Sequence, residues 1–253
     1  MFLHALLVFV AAVVAGAINS IAAGGSLLTF PTLIWLGIPS INANATNIVA
    51  IWPGSLGSVW AYRQELHDTD PRVYGLIVPS MLGAGIGALL LARTPRALFD
   101  GLVPVLITFA TVLFMLQDRI RRRLDAAAGA TLRRHWLAWA MALQLLVGIY
   151  GGYYGTAMGI PMLAALSLTH TDIHQINGLK NLFAVSINAV ATIFFVVAGL
   201  IVWGDAITMA VGTTIGGVGG ALVARRIGAD AVRRLVVIIG FGMAISLLLR
   251  VWT

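Results

Sequence analysis

The chain contains no cysteine. Disulfides, thiolate metal sites and cysteine nucleophiles are therefore excluded, although this does not fix a compartment. Charge is scarce as well: 10% of the 253 residues are Asp, Glu, Lys or Arg, against about 25% in an ordinary soluble domain. The acidic residues all lie in or beside connections between apolar runs, with Asp100 nearest to the body of a run. Proton pumps and many cation carriers need a carboxylate inside the membrane. Its absence speaks against cationic substrates and against an Asp/Glu proton relay. Lysine is scarcest of all: Lys180 is the single one, and every other Lys/Arg position is an arginine.

What fills the chain instead is apolar, with 60% hydrophobic residues. Apolar runs fall near residues 2–22, 26–36, 43–62, 73–92, 97–117, 136–153, 157–168, 179–202, 205–224 and 232–252. Recurring runs of roughly 20 residues mark membrane-spanning helices. Helices lying on the bilayer surface would each need a polar face, and most of these runs have none. The expected fold class is an all-α polytopic membrane protein. The net charge of +7 would suit nucleic acid, but the arginines cluster at run ends, as the positive-inside rule requires. Membrane lipids, not nucleic acid, are the expected contact. The N-terminal run lacks the basic segment of a signal peptide and is read as a retained helix.

The chain repeats itself. The stretch AAGGSLLTFPTL (22–33) answers GYYGTAMGIPML (152–163), pairing Gly25 with Gly155 and Pro31 with Pro161. ANATNIVA (43–50) answers NGLKNLFA (177–184), pairing Asn47 with Asn181 and Thr46 with Lys180. GAGIGALLLAR (83–93) answers GGVGGALVAR (216–225). Residues 1–117 are thus expected to form a first membrane repeat, 118–135 a basic cytoplasmic linker and 136–253 a second membrane repeat, each repeat with about five membrane segments.

The runs 26–36 and 157–168 are too short to cross. At 1.5 Å per residue they reach roughly 17 Å of a hydrocarbon core about 30 Å thick. Each follows glycines and contains a proline. Either it continues the preceding helix, giving eight crossings, or it doubles back as a hairpin. With the 117–134 loop in the cytoplasm, doubling back puts that loop's arginines and Arg63, Arg72, Arg225, Arg226, Arg233 and Arg234 inside, leaving Arg93, Arg96 and Arg250 outside. The eight-crossing path sends Arg225, Arg226, Arg233 and Arg234 out. The positive-inside rule prefers doubling back. Five passes per half is odd, so the halves are expected to be inverted relative to each other.

Lys180 admits two readings. It is a helix-end lysine snorkelling to the interface, or it supplies charge to a binding site. Its solitude, its neighbours Asn177 and Asn181, and the repeat of that polar group as Asn44, Thr46 and Asn47 favour the site. A compact ammonium at a helix start suits a small anion, helped by the helix dipole and free N–H groups. The glycine turns at Gly24, Gly25 and Ser26, and at Gly155 and Thr156, are either close-packing points or breaks that offer N–H and hydroxyl donors near the midplane. Tyr150, Tyr153 and Tyr154 are interfacial aromatics or, facing a cavity, further donors. GAGIG and the glycines 212, 216 and 220 read as helix contacts. His170 and His174 can titrate near neutral pH but read as loop histidines, and His4 carries still less signal.

With these motifs in hand, the chain resembles the sulfite exporter TauE/SafE family, also called the toluenesulfonate uptake permease family. The resemblance rests on residues 24–63 (GGSLLTFPTLIWLGIPSINANATNIVAIWPGSLGSVWAYR), 176–191 (INGLKNLFAVSINAVA) and 216–235 (GGVGGALVARRIGADAVRRL), and it covers essentially the whole chain. It implies a bacterial inner-membrane permease for sulfur-containing anions such as sulfite, sulfonates or sulfoacetate. That agrees with substrate contacts from Lys180, Asn181, Asn177, Asn47, Thr46, Gly24, Gly25, Ser26, Gly155, Thr156 and Tyr154.

The leading expectation is a secondary anion transporter in which one repeat rocks against the other. An anion channel, or an uptake permease for another small organic anion, is the alternative. An intramembrane hydrolase would need a Ser–His pair, an Asp–Asp pair or a metal cluster within the bilayer, and none falls at helical spacing. No cofactor is expected. The expected partners are a small anion and membrane lipids; a coupling ion and a second copy of the chain are left open.

Overall fold

A computed structural model describes residues 2–21, 24–67, 69–127, 136–166, 173–227 and 229–252. All of its elements are helices: α1 (Phe2–Ile21), α2 (Ser26–Trp35), α3 (Ser40–Ala61), α4 (Arg63–His67), α5 (Pro71–Tyr74), α6 (Ile77–Arg93), α7 (Arg96–Ala127), α8 (Trp136–Tyr153), α9 (Gly159–Leu166), α10 (Ile173–Val197), α11 (Trp203–Ile227) and α12 (Ala229–Trp252). Four segments are long and apolar enough to cross a membrane: Phe2–Asn19, Pro71–Arg93, Arg96–Leu116 and Gln175–Val197. Shorter apolar stretches run over Ser26–Trp35, Leu137–Tyr153 and Val236–Leu249.

Apolar side chains cover both faces of these helices, as lipid demands. On α1, Val8, Ala12 and Ala15 are buried in the protein, while Leu3, Leu6, Leu7, Val10 and Val14 are exposed on the opposite stripe. On α6 the buried face is made of small residues, Ser80, Gly83, Ala84, Gly87 and Ala88. Val78, Leu82, Ile86 and Leu90 face outward. Burial in lipid gives helices no hydrophobic reason to associate, so small residues that allow close approach decide which helices pair.

Two pairs follow from this. In the pair α1–α11, a side-chain carbon at Gly16 would strike the carbonyl oxygen of Thr213, and one at Gly216 that of Val13. In the pair α6–α8, Gly83 lies against the Leu145 carbonyl, Gly87 against that of Ile149, Gly148 against that of Ser80 and Gly152 against that of Ala84. The expected packing role of the GAGIG run and of Gly212 and Gly216 is thus met; Gly220 falls where no side-chain surroundings are described. Each pair joins the first long helix of one half to the third long helix of the other. The remaining large interfaces obey the same exchange: α3 meets α11 as α10 meets α6, and α3 meets α10. Also, α7 meets α12, and α2 packs on α12 as α9 packs on α7.

Two helix boundaries differ from the apolar runs. Helix α7 continues to Ala127, well into the arginine-rich stretch. Hydropathy marks where lipid ends, not where a helix ends, and this stretch has neither Gly nor Pro before Gly129 while spacing Asp118 four residues from Arg122, a helix-supporting arrangement. The remainder of the expected linker, 128–135, lies outside the described residues, as does His170. Helix α10 starts by Ile173, so Lys180 is not at a helix start. It stands seven residues in, roughly 10 Å along the axis from the first described turn, and terminal N–H groups do not reach it.

A glycine-containing turn precedes each short helix. The Gly25 N–H donates to Asn19 Oδ1 at 2.7 Å, and a side-chain carbon at Gly25 would meet the Ala15 carbonyl and the Asn19 amide. The chain has therefore come back alongside the last turns of α1 before α2 begins. In the second half the turn after α8 uses Gly155 at φ +72° and Ala157 at φ +60°. The left-handed region suits glycine and is uncommon for alanine.

Candidate functional site

A cavity of about 500 Å³ opens where α1, α3, α10 and α11 meet the two short-helix turns. Its polar lining comprises Asn19, Ser26, Asn47, Ser55, Lys180, Asn181, Asn188, Thr213 and Thr214. Ile48, Ile51, Pro53, Ala184 and Met158 provide apolar wall. Gly54 and Gly57 stand in open space at its rim on α3.

Helix geometry explains the cation's position. Lys180, Ala184 and Asn188 recur every four residues, so α10 turns one stripe to the cavity, with Asn181 beside it. Lys180 lies five residues into the apolar span Gln175–Val197, about 7.5 Å along the axis. No carboxylate lines the cavity, and the one salt bridge among the described residues joins His4 to Asp205, 2.9 Å apart. An ammonium placed in a low-dielectric region without a counter-charge is costly.

The structure brings together Lys180, Asn181, Asn47, Ser26 and Gly155 from the residues singled out in the sequence. It does not bring the rest to the cavity. Thr46 is fully buried, and its Oγ1 accepts from the Val202 N–H at 3.0 Å. Asn177 lies on α10 but outside the lining, beside Gly178, which packs on Tyr62 and Leu66. Gly24 packs on the Phe114 ring. Tyr154 is fully buried, edge-on to Phe30 with ring centroids 5.3 Å apart. Thr156 is fully buried, and its carbonyl accepts from Tyr150 Oη at 2.6 Å.

Three of the backbone N–H groups in the turns are satisfied within the protein. The Gly25 N–H is taken by Asn19 Oδ1. The Gly155 N–H goes to the Tyr150 carbonyl at 3.1 Å and the Thr156 N–H to the Tyr154 carbonyl at 2.9 Å. Such tight turns satisfy their own N–H groups, because an unpaired buried donor costs about 1–3 kcal/mol. Asn19, Asn188, Thr213, Thr214, Ser55 and Met158 were missed. Asn188 is recoverable from its spacing to Lys180 and Asn19 as an amide inside an apolar run; the others carry no comparable signal.

Around the N-terminal half of α3 the protein is closed. Asn42 Nδ2 donates to the Leu200 carbonyl at 2.9 Å, and Asn44 Nδ2 to the Tyr153 carbonyl at 2.9 Å. Ser40 Oγ donates to Asp100 at the start of α7. The Asn42–Leu200 and Thr46–Val202 bonds fasten the connection between α10 and α11 over α3. One end of α3 is sealed and the other borders the cavity.

Comparison with known proteins agrees with this picture. The profile of the family described as Sulfite exporter TauE/SafE matches residues 8–247. Among curated proteins, the chain is 28% identical to "Probable membrane transporter protein ORF9" of Sinorhizobium sp, over 96% of this chain and 94% of that one. It is 26% identical to "Probable membrane transporter protein YfcA" of Escherichia coli (strain K12), over 95% and 88% respectively. It is 25% identical to "Probable membrane transporter protein" of Haemophilus influenzae, over 94% and 91%. No solved structure matches the chain significantly.

Proposed function

The chain belongs to the sulfite exporter TauE/SafE family, and on that premise we propose that this multi-pass membrane transporter carries a small sulfur-containing oxyanion, such as sulfite, a sulfonate or sulfoacetate, across the bacterial inner membrane by alternating access. The observation that carries the reading is Lys180: the chain's single lysine, without a carboxylate partner among the described residues, on the wall of a cavity inside an apolar span. Amide donors on facing helices complete an anion site, and an ammonium favours anions without demanding the flat bidentate geometry of arginine.

In this reading the two halves are inverted repeats. The exchange of helix contacts between halves supports this, as does the contrast between Lys180 and its counterpart Thr46. Lys180 borders the open cavity, and Thr46 the sealed end. Inversion places equivalent positions toward opposite membrane faces, which makes the present form open on the side of Arg63 and Arg72, the cytoplasm. The moving bodies are not the halves. Each glycine-packed pair, α1–α11 and α6–α8, contains one helix from each half, so a half moving alone would pull both pairs apart. The pairs move as units, with α3 and α10 between them.

Counterflow in proteoliposomes tests this. Vesicles loaded with unlabelled sulfite or ethanesulfonate accumulate the labelled anion transiently if the protein is a carrier. A current that follows voltage, with no counterflow, makes it a channel instead. No flux of either anion rejects the substrate class.

A further inference from the structure

The cavity contains two asparagines whose amides are each held at one end. The partner of Asn19 Oδ1 is a backbone N–H, that of Gly25, at 2.7 Å. A backbone N–H can only donate, so the atom facing it is the amide oxygen, and Nδ2 is left for the cavity. Asn47 is held by Thr29, whose Oγ1 lies 2.6 Å from Oδ1. That separation fits O–H···O, which clusters near 2.7–2.8 Å, better than N–H···O, which clusters near 2.9–3.0 Å. Thr29 is buried and its hydroxyl has one other neighbour, the Gly25 carbonyl at 3.4 Å. It thus gives its proton to Asn47, again leaving Nδ2 free.

Of the cavity's hydroxyls, only that of Ser26 is left as a further donor beside the amides. Ser55 Oγ donates to the Ile51 carbonyl, and Thr213 and Thr214 both donate to that of Ala210. The donors left for a ligand narrow to few groups. We infer that Asn19 and Asn47 are substrate-binding residues presenting NH₂ groups to the head group of an oxyanion, and that Gly25 and Thr29 are positioning residues that fix this polarity. The inference rests on the anion reading above and deepens it. The first-half glycine turn binds substrate indirectly: its N–H orients an amide rather than touching the anion. Gly25 is glycine because a side-chain carbon there would strike the Ala15 carbonyl, 2.2 Å away, and it would also press on Asn19 Cγ and Nδ2, both 2.8 Å away.

The ligand class is an anion whose head group accepts hydrogen bonds, a sulfonate or sulfite. Without Thr29 the Asn47 amide is free to rotate, and a ligand must then order it.

The test is ethanesulfonate and sulfite binding to detergent-purified full-length protein by isothermal titration, with thermal unfolding of each unliganded variant as the folding check. Thr29→Val, which keeps the shape and removes the proton, should weaken binding by about tenfold, as expected for one charge-assisted hydrogen bond. Thr29→Ser should bind as wild type does. Asn19→Leu should weaken binding by a similar factor. A Thr29→Ser that is as weak as Thr29→Val, at equal unfolding temperature, overturns the positioning role. Thr29→Val and Asn19→Leu binding like wild type overturns the whole inference while leaving the anion reading standing. A wild type that binds neither probe overturns that reading and this inference with it.

Discussion

At the residue scale, the same kind of side chain does two jobs on α3. Asn47 faces the cavity, whereas Asn42, Asn44 and Thr46 spend their polar groups on the backbone around the α10–α11 connection and the α8–α9 turn. This gives opposite expectations for two neighbours. Thr46→Val leaves the half-buried Val202 N–H without its acceptor and should destabilise the protein by about 1 kcal/mol, read as a lower unfolding temperature, with sulfite affinity per folded molecule unchanged. A loss of affinity without a loss of stability would move Thr46 into the site. At the second-half turn, Gly155→Ala forces a side chain into the left-handed region and 3.0 Å from Ile48. It should cost about 1–2 kcal/mol from the backbone alone, and an unfolding temperature equal to wild type would contradict the turn as described.

At the scale of elements, the helices were readable because lipid imposes a simple rule: a run of apolar residues long enough to cross. All ten runs correspond to helices. Their ends were less readable, since α7 and α10 carry helical turns beyond the apolar region, and for Lys180 this changes the chemistry from helix terminus to helix wall. The pairing of helices was half readable. The glycines announced close contacts, but nothing in a glycine says which helix it meets, and the cross-half pairs α1–α11 and α6–α8 emerge only in three dimensions. At the site, Lys180 stood out because lysine occurs nowhere else. Asn19 did not, because an asparagine before a glycine turn reads equally well as a cap. The pairing makes a sharp expectation. Gly152→Leu drives a side chain into the Ala84 carbonyl, whereas Gly242→Leu on α12 enters open space. Overpacking costs about 1–3 kcal/mol and sometimes more, so the first should lower the yield of folded protein and the unfolding temperature, and the second should not. Equal behaviour would mean that α6 and α8 do not approach as closely as their glycines indicate.

At the scale of the whole molecule, the account describes two cross-half helix pairs around a central α3 and α10, with a cavity open on one side of a sealed α3. The pair α1–α11 is also joined by His4 and Asp205 near the starts of both helices. Because the chain has no cysteine, a tether there is site-specific: His4→Cys with Asp205→Cys, joined by a short bifunctional thiol reagent, should leave counterflow intact if α1 and α11 move as one body. Counterflow abolished by the tether would require these helices to separate during transport.

The central claim is that the unpaired Lys180 ammonium draws an anion into the cavity. The most direct measurement is the thermal shift of detergent-purified wild type, Lys180→Arg and Lys180→Gln with sulfite, ethanesulfonate and sodium chloride as ionic control. At 100 times its dissociation constant a ligand stabilises the fold by about 2.7 kcal/mol. The account predicts a clear shift of wild type by a sulfur oxyanion beyond the chloride control, a smaller one for Lys180→Arg, whose fork does not match a compact ammonium, and none for Lys180→Gln. An equal shift of wild type and Lys180→Gln would contradict it, leaving Lys180 as an interface anchor with no part in binding.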